Sequence, residues 1–590
     1  MRDLVYWIIE RDFARDGCLL MRFNNWEIGG FNRDTAVDFC HQGVNPLSAV
    51  FLVSRGITDI EDARTVLGLA SFDIFDPFLM TDMDKAVKRI NKAVESGERI
   101  AIYGDYDVDG MTSSSLLALW LRTKGADFEV YIPGRFCEGY GLNSAALDVL
   151  KGNGVDLVIT VDCGITAIEE ADYARSLGLG LIITDHHECR ATLPKADAVV
   201  NPKRLDCGYP HKSLAGVGVV FKLVCALEKD VSLDEMIRLY GDLVAVGTVA
   251  DVMPIEGENR ELIRRGLSVI NKNPRPGILA LLKETFIQRG KVTTATIGFV
   301  IAPRLNAAGR MGQADLSTEL LLTNDAGEAE RLTSELCRLN TERRGLETAI
   351  FDEALAMLPP TGPEGPIILA KHEWYQGVTG IVAAKLAERY LIPTIVLSID
   401  QNGVCRGSCR SFGAFGIYDA LRSCEDILIN FGGHEMAAGV TLSEDNLDEL
   451  RRRIVDYYRE TFKTVPEPVL KLDFVVEKPQ LLTIRNVEEL ERLEPFGNGY
   501  PPPCLCIMDA LITSAYSIGA GQHMRLRVNK AGTILDCIYF SMTPEKLGVS
   551  AGMTVDLAFE PQINEFRGQV SVQLHLYDIR ESRRKAGQEA

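Results

Sequence analysis

The stretch "RIAIYGDYDVDGMTSSSLL", Arg99–Leu117, decides how this chain is read. Ile100, Ala101, Ile102 and Tyr103 are an unbroken apolar run that predicts a short buried strand. Asp105, Asp107 and Asp109 follow at every second position, and a helical pattern with Thr and Ser near its start follows them. D-x-D-x-D-G opens an EF-hand loop, but that loop needs a bidentate Glu at its twelfth position, where this chain has Leu116. Calcium is therefore excluded, and some other chemistry must use the carboxylates. Alternate residues of an extended segment face one way. A regular continuation puts the three aspartates on one side, with a turn at Gly110 dividing them between two directions.

Around this stretch the chain alternates from Asp82 onward. "DMDKAVKRINKAVESG" reads as an amphipathic helix, "RIAIYG" as a strand and "MTSSSLLALWLRTKG" as a helix. "DFEVYIP", "VDLVITVDCG" and "LGLIITDHH" read as further strands, separated by the helices "GLNSAALDVLKGNG" and "ITAIEEADYARSLG". Strands alternating with helices of this length predict a parallel sheet covered on both faces, with ligands beyond the carboxyl ends of its strands.

The remaining chain divides by pattern. Residues 1–80 look like a helical N-terminal extension, residues 81–320 like an α/β domain that turns helical after about 260, and residues 321–358 like one long connecting helix. The Pro/Gly-rich "PPTGPEGP" marks a boundary, after which residues 359–464 form a second α/β subdomain. Residues 465–582 carry runs such as "HMRLRVN", "TILDCIYF" and "QVSVQLHLYDI" that suit a small β-barrel, and residues 583–590 read as a frayed tail.

Composition narrows the class. A chain of 590 residues exceeds one core, with no apolar run long enough to span a bilayer and no convincing signal peptide in "MRDLVYWIIERDFARDG". Its fourteen cysteines show no framework spacing and suit free thiols of a reducing cytoplasm. Cys405 and Cys409 in "CRGSC" have no second pair to complete a metal site. The net charge of −19 argues against a nucleic-acid binder unless bound cations and a local basic groove offset it.

Four places put a carboxylate or imidazole directly after an apolar strand or helix: Asp105/Asp107/Asp109, Asp162, Asp185-His186-His187 and Asp251. The first three follow strands of one parallel sheet and converge on one rim. Alone, Asp162 would be an ordinary helix cap and the histidine pair a structural feature. Together, so many carboxylates cannot share a rim as free anions unless cations sit between them. Oxygen ligands with one or two imidazoles suit Mn²⁺ or Mg²⁺, and their number suits two ions about 4 Å apart that promote an in-line displacement at phosphorus.

The motifs "GDYDVDGMTSS", "VDCGI", "TDHH" and "GTVADVMP" resemble, in order, the four motifs of the DHH phosphoesterase superfamily. The resemblance implies that Asp105 and Asp107 bind mainly one metal, that Asp109, His186 and Asp251 bind the other, and that Asp162 bridges them. It implies that His187 contacts the scissile phosphate or assists the leaving group, leaving Asp162, His186, His187 and Asp109 as the catalytic set. Phosphatase members of the superfamily have a histidine where this chain has Tyr103, and Asp105 takes that ligand's place.

From about residue 80 the likeness narrows to the RecJ-type single-strand-specific exonucleases, carried by "YIPGRFCEGYGLN", "APRLNAAGRMG", "WYQGVTGIVAAKLAERY", "RGSCRS", "FGGHEMAAG" and "LEPFGNGYPPP". It implies a DHH catalytic domain, a long connecting helix, a DHH-associated substrate-binding subdomain and an oligonucleotide-binding (OB-like) barrel. It further implies 5′→3′ removal of nucleotides from single-stranded DNA in recombination and repair, by a monomer working with a single-strand-binding protein and a helicase. Arg135, Ser408 and Arg410 match positions that hold a 5′ phosphate, and Arg304, Asn306, Arg310, Gln376, Gly433 and His434 complete the substrate-binding set. Trp374 and Tyr375 stand as base-stacking residues, Trp374 with an equal claim as interface core, and Tyr516, His523, Arg525 and Arg527 as barrel contacts. The alternatives are a DHH phosphodiesterase acting on short oligonucleotides, disfavoured by residues 465–582, and a non-catalytic replication scaffold, disfavoured because every ligand position is filled.

Overall fold

A computed structural model describes residues 23, 25–70, 72–135, 138–139, 141–288, 290–462, 469–566 and 568–582. Most of the N-terminal stretch read for a signal peptide, and the tail 583–590, lie outside the described residues. The described residues form two compact units, one within 69–343 and 494–501, the other within 23–68, 344–493 and 502–582.

The first unit is built on five parallel strands: β1 (Ile100–Tyr103), β2 (Phe128–Tyr131), β3 (Leu157–Val161), β4 (Gly180–Thr184) and β5 (Ala198–Val200). Their order is β2-β1-β3-β4-β5. β1 and β3 are buried at every position, which is why they are apolar runs and not alternating patterns. Strand order reverses between β1 and β3, so the crevice at their carboxyl ends is the topological switch point of the sheet. Asp105 and Asp162 follow those two strands.

Helices α1 (Val108–Thr123), α2 (Gly216–Leu227), α3 (Leu233–Ala250), α4 (Gly257–Lys272) and α5 (Ala302–Arg310) pack around this rim. The helical part begins at Gly216, well before the expected residue 260. "GVGVVFKLVCAL" is buried almost all round and so lacks the polar face that marks a surface helix. Helix α6 (Ala326–Ala356) is the expected long connection.

In the second unit, β6 (Ile367–His372), α7 (Gln376–Tyr390), β7 (Thr394–Ile399), β8 (Val404–Arg410), β9 (Leu428–Gly433) and β10 (Ala437–Ser443) form the second α/β subdomain. Its sheet runs β9-β10-β8-β7-β6, with only β6 and β7 parallel. Cys405 and Cys409 face its core. Strands β11 (Leu505–Ile518), β12 (His523–Lys530), β13 (Thr533–Tyr539), β14 (Thr554–Phe566) and β15 (Gln569–Glu581) follow in the order β11-β12-β13-β15-β14. Pairing of β11 with β14 closes them into a five-stranded barrel. The strand Asn25–Ile28 pairs in parallel with Val469–Leu472, so the N-terminal region is not purely helical.

Candidate metal centre

The carboxylates meet where the strands end. After β1 the chain passes Gly104 and Asp105, and Asp107 caps α1 by accepting the Gly110 N–H at 3.0 Å. Asp109 lies in the first turn of α1. The division between the aspartates therefore comes from the strand-to-helix turn and not from Gly110, which sits inside the helix. Gly110 is needed for closeness: a Cβ there would lie 2.6 Å from the Asp105 backbone.

Each remaining group has its own support. Asp162 leaves β3 in a left-handed conformation, φ 62°, with its N–H on the Thr184 carbonyl at 3.0 Å, so it is not a helix cap. Asp109 accepts the Gly216 and Val217 N–H groups, at 2.7 and 2.9 Å, from the start of α2. A Cβ on Gly216 would meet the Asp162 Cβ at 2.6 Å. Asp251 ends α3. Asp185 accepts the His186 and His187 N–H groups and the His187 Nδ1 on one oxygen, and the Ile165 N–H on the other. Saturated in this way, Asp185 orients the histidines.

Three overlapping groups of potential ligand atoms result, each within 4.8 Å: Asp105, Asp107 and Asp162; Asp109, His186 and Asp251; Asp162, His186 and His187. His186 Nε2 lies 3.1 Å from Asp162 Oδ1, 3.5 Å from Asp251 Oδ2 and 3.9 Å from Asp109 Oδ2. Asp105 Oδ1, Asp162 Oδ1, His186 Nε2 and Asp251 Oδ2 are buried and make no hydrogen bond.

The electrostatics follow. Burial, then the neighbouring Asp107 charge, pushes Asp109 up to about 7. Burial and like charges lift Asp105, Asp162 and Asp251 well above the carboxylate range. Burial, then the His187 charge, takes His186 down to about 3. Burial opposes the charge on His187, but Asp185 outweighs it and brings His187 up to about 9. Burial would raise Asp185, yet its bond to His187 takes it down to about 2. Buried oxygens that lack donors, beside a neutral imidazole, fit a divalent cation.

Several expected substrate residues surround this rim. Arg135 lies over the Tyr106 ring at 4.7 Å. Gly309 of α5 packs on the Tyr106 carbonyl, where a Cβ would clash at 2.3 Å, so Asn306 and Arg310 share the helix docked on the aspartate loop. Arg304 of the same helix donates to the Val300 carbonyl at 2.8 Å. Sequence reading missed Tyr106, Gly216 and Gly309. The small residues of "LAGVGVV" and "NAAGR" were the available signal, but close approach is invisible without the fold.

Gln376, Ser408, Arg410, Gly433 and His434 are carried by the second unit. There Gly380 of α7 faces Ser408 Oγ and Arg410 Nη2, at 3.0 and 3.1 Å from where its Cβ would be. Gln376 opens the same helix. Gly433, φ 142°, ends β9, and the His434 N–H bonds the Ala437 carbonyl, itself opposite Arg410. Of the two readings of Trp374 the core one holds: it is 4% exposed, lies in the core and donates Nε1 to Glu353 at 2.7 Å, so it is not a stacking platform. On the barrel, Tyr516 pairs across from Arg525, Arg525 and Arg527 flank Asp536, and His523 Nδ1 accepts the Ser541 N–H.

Residues 99–248 match the N-terminal domain of the DHH family, 364–460 the DHHA1 domain and 472–578 the RecJ OB domain. The chain is 40% identical over 558 residues to the single-stranded-DNA-specific exonuclease RecJ of Bacillus subtilis, covering 94% of this chain and 70% of that protein. It superposes on RecJ of Thermus thermophilus in complex with Mn²⁺ with a TM-score of 0.80, at 30% identity, over 96% of this chain and 81% of that one. For the Mg²⁺ complex of the same protein the TM-score is 0.76, at 28% identity, over 95% and 79%.

Proposed function

The chain belongs to the RecJ family of single-stranded-DNA-specific exonucleases, and on that premise we propose how its own residues divide the work. It is a metal-dependent nuclease acting on single-stranded DNA. The reading proposed beyond this is removal of mononucleotides from a 5′ end, in recombination and repair, by a monomer that meets a single-strand-binding protein and a helicase in the cell. One observation carries the site assignment: three overlapping ligand groups with donor-free buried atoms at the switch point of the sheet.

Asp105 and Asp107 would hold one divalent cation, Asp109, His186 and Asp251 the other, and Asp162 both. When bound, Mn²⁺ or Mg²⁺ supplies Lewis acidity and water activation for displacement at phosphorus. The chain supplies the rest. The α2 N–H groups fix Asp109 in one rotamer, so the rim is assembled before substrate arrives. Asp185 bonds His187 Nδ1 and so orients the ring, which would contact the scissile phosphate or deliver a proton to the departing 3′ oxygen. Arg135, Arg304, Asn306 and Arg310 would grip the strand beside the metals. Ser408 and Arg410 would bind the terminal 5′ phosphate, with Gly380 leaving room for it and Gly433 and His434 offering backbone and imidazole donors. Tyr516, Arg525 and Arg527 would take the strand on the barrel by stacking and phosphate contact.

The test uses purified protein, Mn²⁺ and 5′-phosphorylated single strands labelled at either end, beside Asp162→Ala. Mononucleotides released first from the 5′ end are expected, with none from Asp162→Ala. Release from the 3′ end, or cleavage confined to dinucleotides, would overturn the proposed polarity, and activity in Asp162→Ala would overturn the site.

A further inference from the structure

The loop that carries Asp251 is held from an unexpected quarter. Helix α3 ends there, and the chain reverses at Val252 in a left-handed conformation, φ 57°. That region is costly for a β-branched residue and persists only where its surroundings enforce it. The Val252 side chain is 64% exposed, so packing of that side chain does little to enforce it.

The helix end itself closes on this turn, with the Val252 N–H on the Val249 carbonyl at 3.2 Å and the Met253 N–H on the Thr248 carbonyl at 3.3 Å. A further restraint on the backbone comes from residues 494–501, which pack with the first unit although the residues on either side of them belong to the other. Gly497 and Tyr500 close a tight turn by reciprocal N–H···O bonds of 2.8 and 3.1 Å, with Asn498 and Gly499 at its tip. Asn498 Nδ2 donates to the Val252 carbonyl at 2.7 Å, and the Asn498 carbonyl accepts the Ile255 N–H at 2.8 Å. The turn sits close because Gly497 has no side chain: a Cβ there would lie 2.5 Å from Ile255 Cδ1. The turn is itself fastened. Arg260 of α4 donates to the Pro495 carbonyl at 2.7 Å and lies over the Tyr500 ring at 4.5 Å, and Thr294 Oγ1 donates to the Phe496 carbonyl at 2.6 Å.

We propose that Asn498 is a positioning residue for the metal centre: its side-chain amide holds the Val252 carbonyl, and with it the Asp251 carboxylate, in the geometry that binds a cation. This rests on the reading of Asp251 as a metal ligand. The turn lies on the connection leading to the barrel, so the segment that introduces the nucleic-acid domain also finishes the catalytic rim.

The experiment compares full-length protein with Asn498→Ala, Asn498→Asp and Asp251→Asn. Asn498 is exposed, so its variants retain the fold, which a melting curve checks. Mn²⁺ affinity is read directly, by calorimetry and by the paramagnetic resonance of free Mn²⁺, in the absence of DNA. Asn498→Ala should weaken binding by about 3- to 10-fold, as expected for one lost polar contact in support of a ligand. Asn498→Asp, which turns a carboxylate toward the Val252 carbonyl, should weaken it further. The KM for DNA at saturating Mn²⁺ should stay unchanged. Normal Mn²⁺ affinity in both Asn498 variants, with Asp251→Asn impaired, overturns the inference, as does a change confined to DNA affinity. Normal Mn²⁺ affinity in Asp251→Asn instead overturns the reading of Asp251 on which it rests.

Discussion

The Asp185 carboxylate meets His187 Nδ1 at 2.7 Å while its other oxygen takes the Ile165 N–H at 2.8 Å. This buried pair sets both the direction and the charge of the imidazole. Asp185→Asn keeps the shape and removes the charge. In metal-free protein the His187 resonance, brought up to about 9 mainly by Asp185 against burial, should then fall, because burial loses its largest counterweight and only the more distant Asp251 and Asp107 charges remain. The sign for stability follows. A raised histidine contributes fully below pH 6.5 and loses that contribution as pH rises through about 9, so Asp185→Asn should flatten the stability profile across that window. Imidazole NMR titration with thermal melts measures both, and nucleotide release should fall by about 10- to 100-fold.

Cations and protons compete for the rim. Burial holds Asp109 near 7 and Asp105, Asp162 and Asp251 above the usual range, so metal binding must displace protons from them. Calorimetry of Mn²⁺ binding in buffers of different ionisation enthalpy should show proton release at about pH 6, of which the Asp109 share shrinks by about pH 8. For the stability of metal-free protein the sign is the reverse of an ordinary salt-bridged aspartate. The folded state holds protons that the unfolded chain has lost, so Asp109 lowers stability as pH rises from about 4 to 7, and Asp105, Asp162 and Asp251 act in the same direction. The melting-point gain on adding Mn²⁺ should therefore grow across that range, and a gain independent of pH would contradict the burial-driven shifts.

Gly216 tests how tightly the rim is built. An alanine Cβ there would meet Asp162 at 2.6 Å, its Oδ1 at 2.7 Å, while the backbone φ imposes no glycine. Gly216→Ala should fold, since alanine suits a helix start, but Asp162 must shift. Mn²⁺ affinity and turnover should fall by at least about tenfold. Gly218→Ala, one residue further along the chain from Val217, meets only Leu214 atoms, the nearest at 3.3 Å, and should leave both nearly unchanged. Equal effects in the two variants would show that the helix start and not the Asp162 contact is what matters.

What the sequence made legible was whatever the local pattern encodes. Asp105, Asp107, Asp109, Asp162 and the Asp185-His186-His187 run stand directly after β-strands, and a parallel sheet brings such ends together without further information. Asp251 became legible only by joining them, since a helix end has no such convergence. The supports were not legible. Gly309 on Tyr106, Asn498 on Val252 and the pairing of Asn25–Ile28 with Val469–Leu472 join residues far apart in the chain, where periodicity says nothing. Trp374 shows the same limit from the other side. Its sequence left stacking and core equally open, and only the Glu353 carboxylate, from the end of α6, reveals that its indole is buried and satisfied.

The barrel face offers a test of sign. Arg525 and Arg527 lie 3.5 and 3.0 Å from the same Asp536 oxygen, and the half-exposed Tyr516 sits across from Arg525. Asp536 partly neutralises the two cations best placed to meet phosphates. Asp536→Asn should release them, raising single-stranded-DNA affinity by about 2- to 5-fold at low salt. Each guanidinium that gains a phosphate should steepen the slope of log affinity against log salt by about 0.7. Arg527→Ala should do the opposite on both counts. Fluorescence anisotropy with a labelled oligonucleotide at several salt concentrations reads affinity and slope together. If both variants bind with the parental affinity and slope, the strand does not run over this face of the barrel, and Tyr516 is then an ordinary exposed tyrosine.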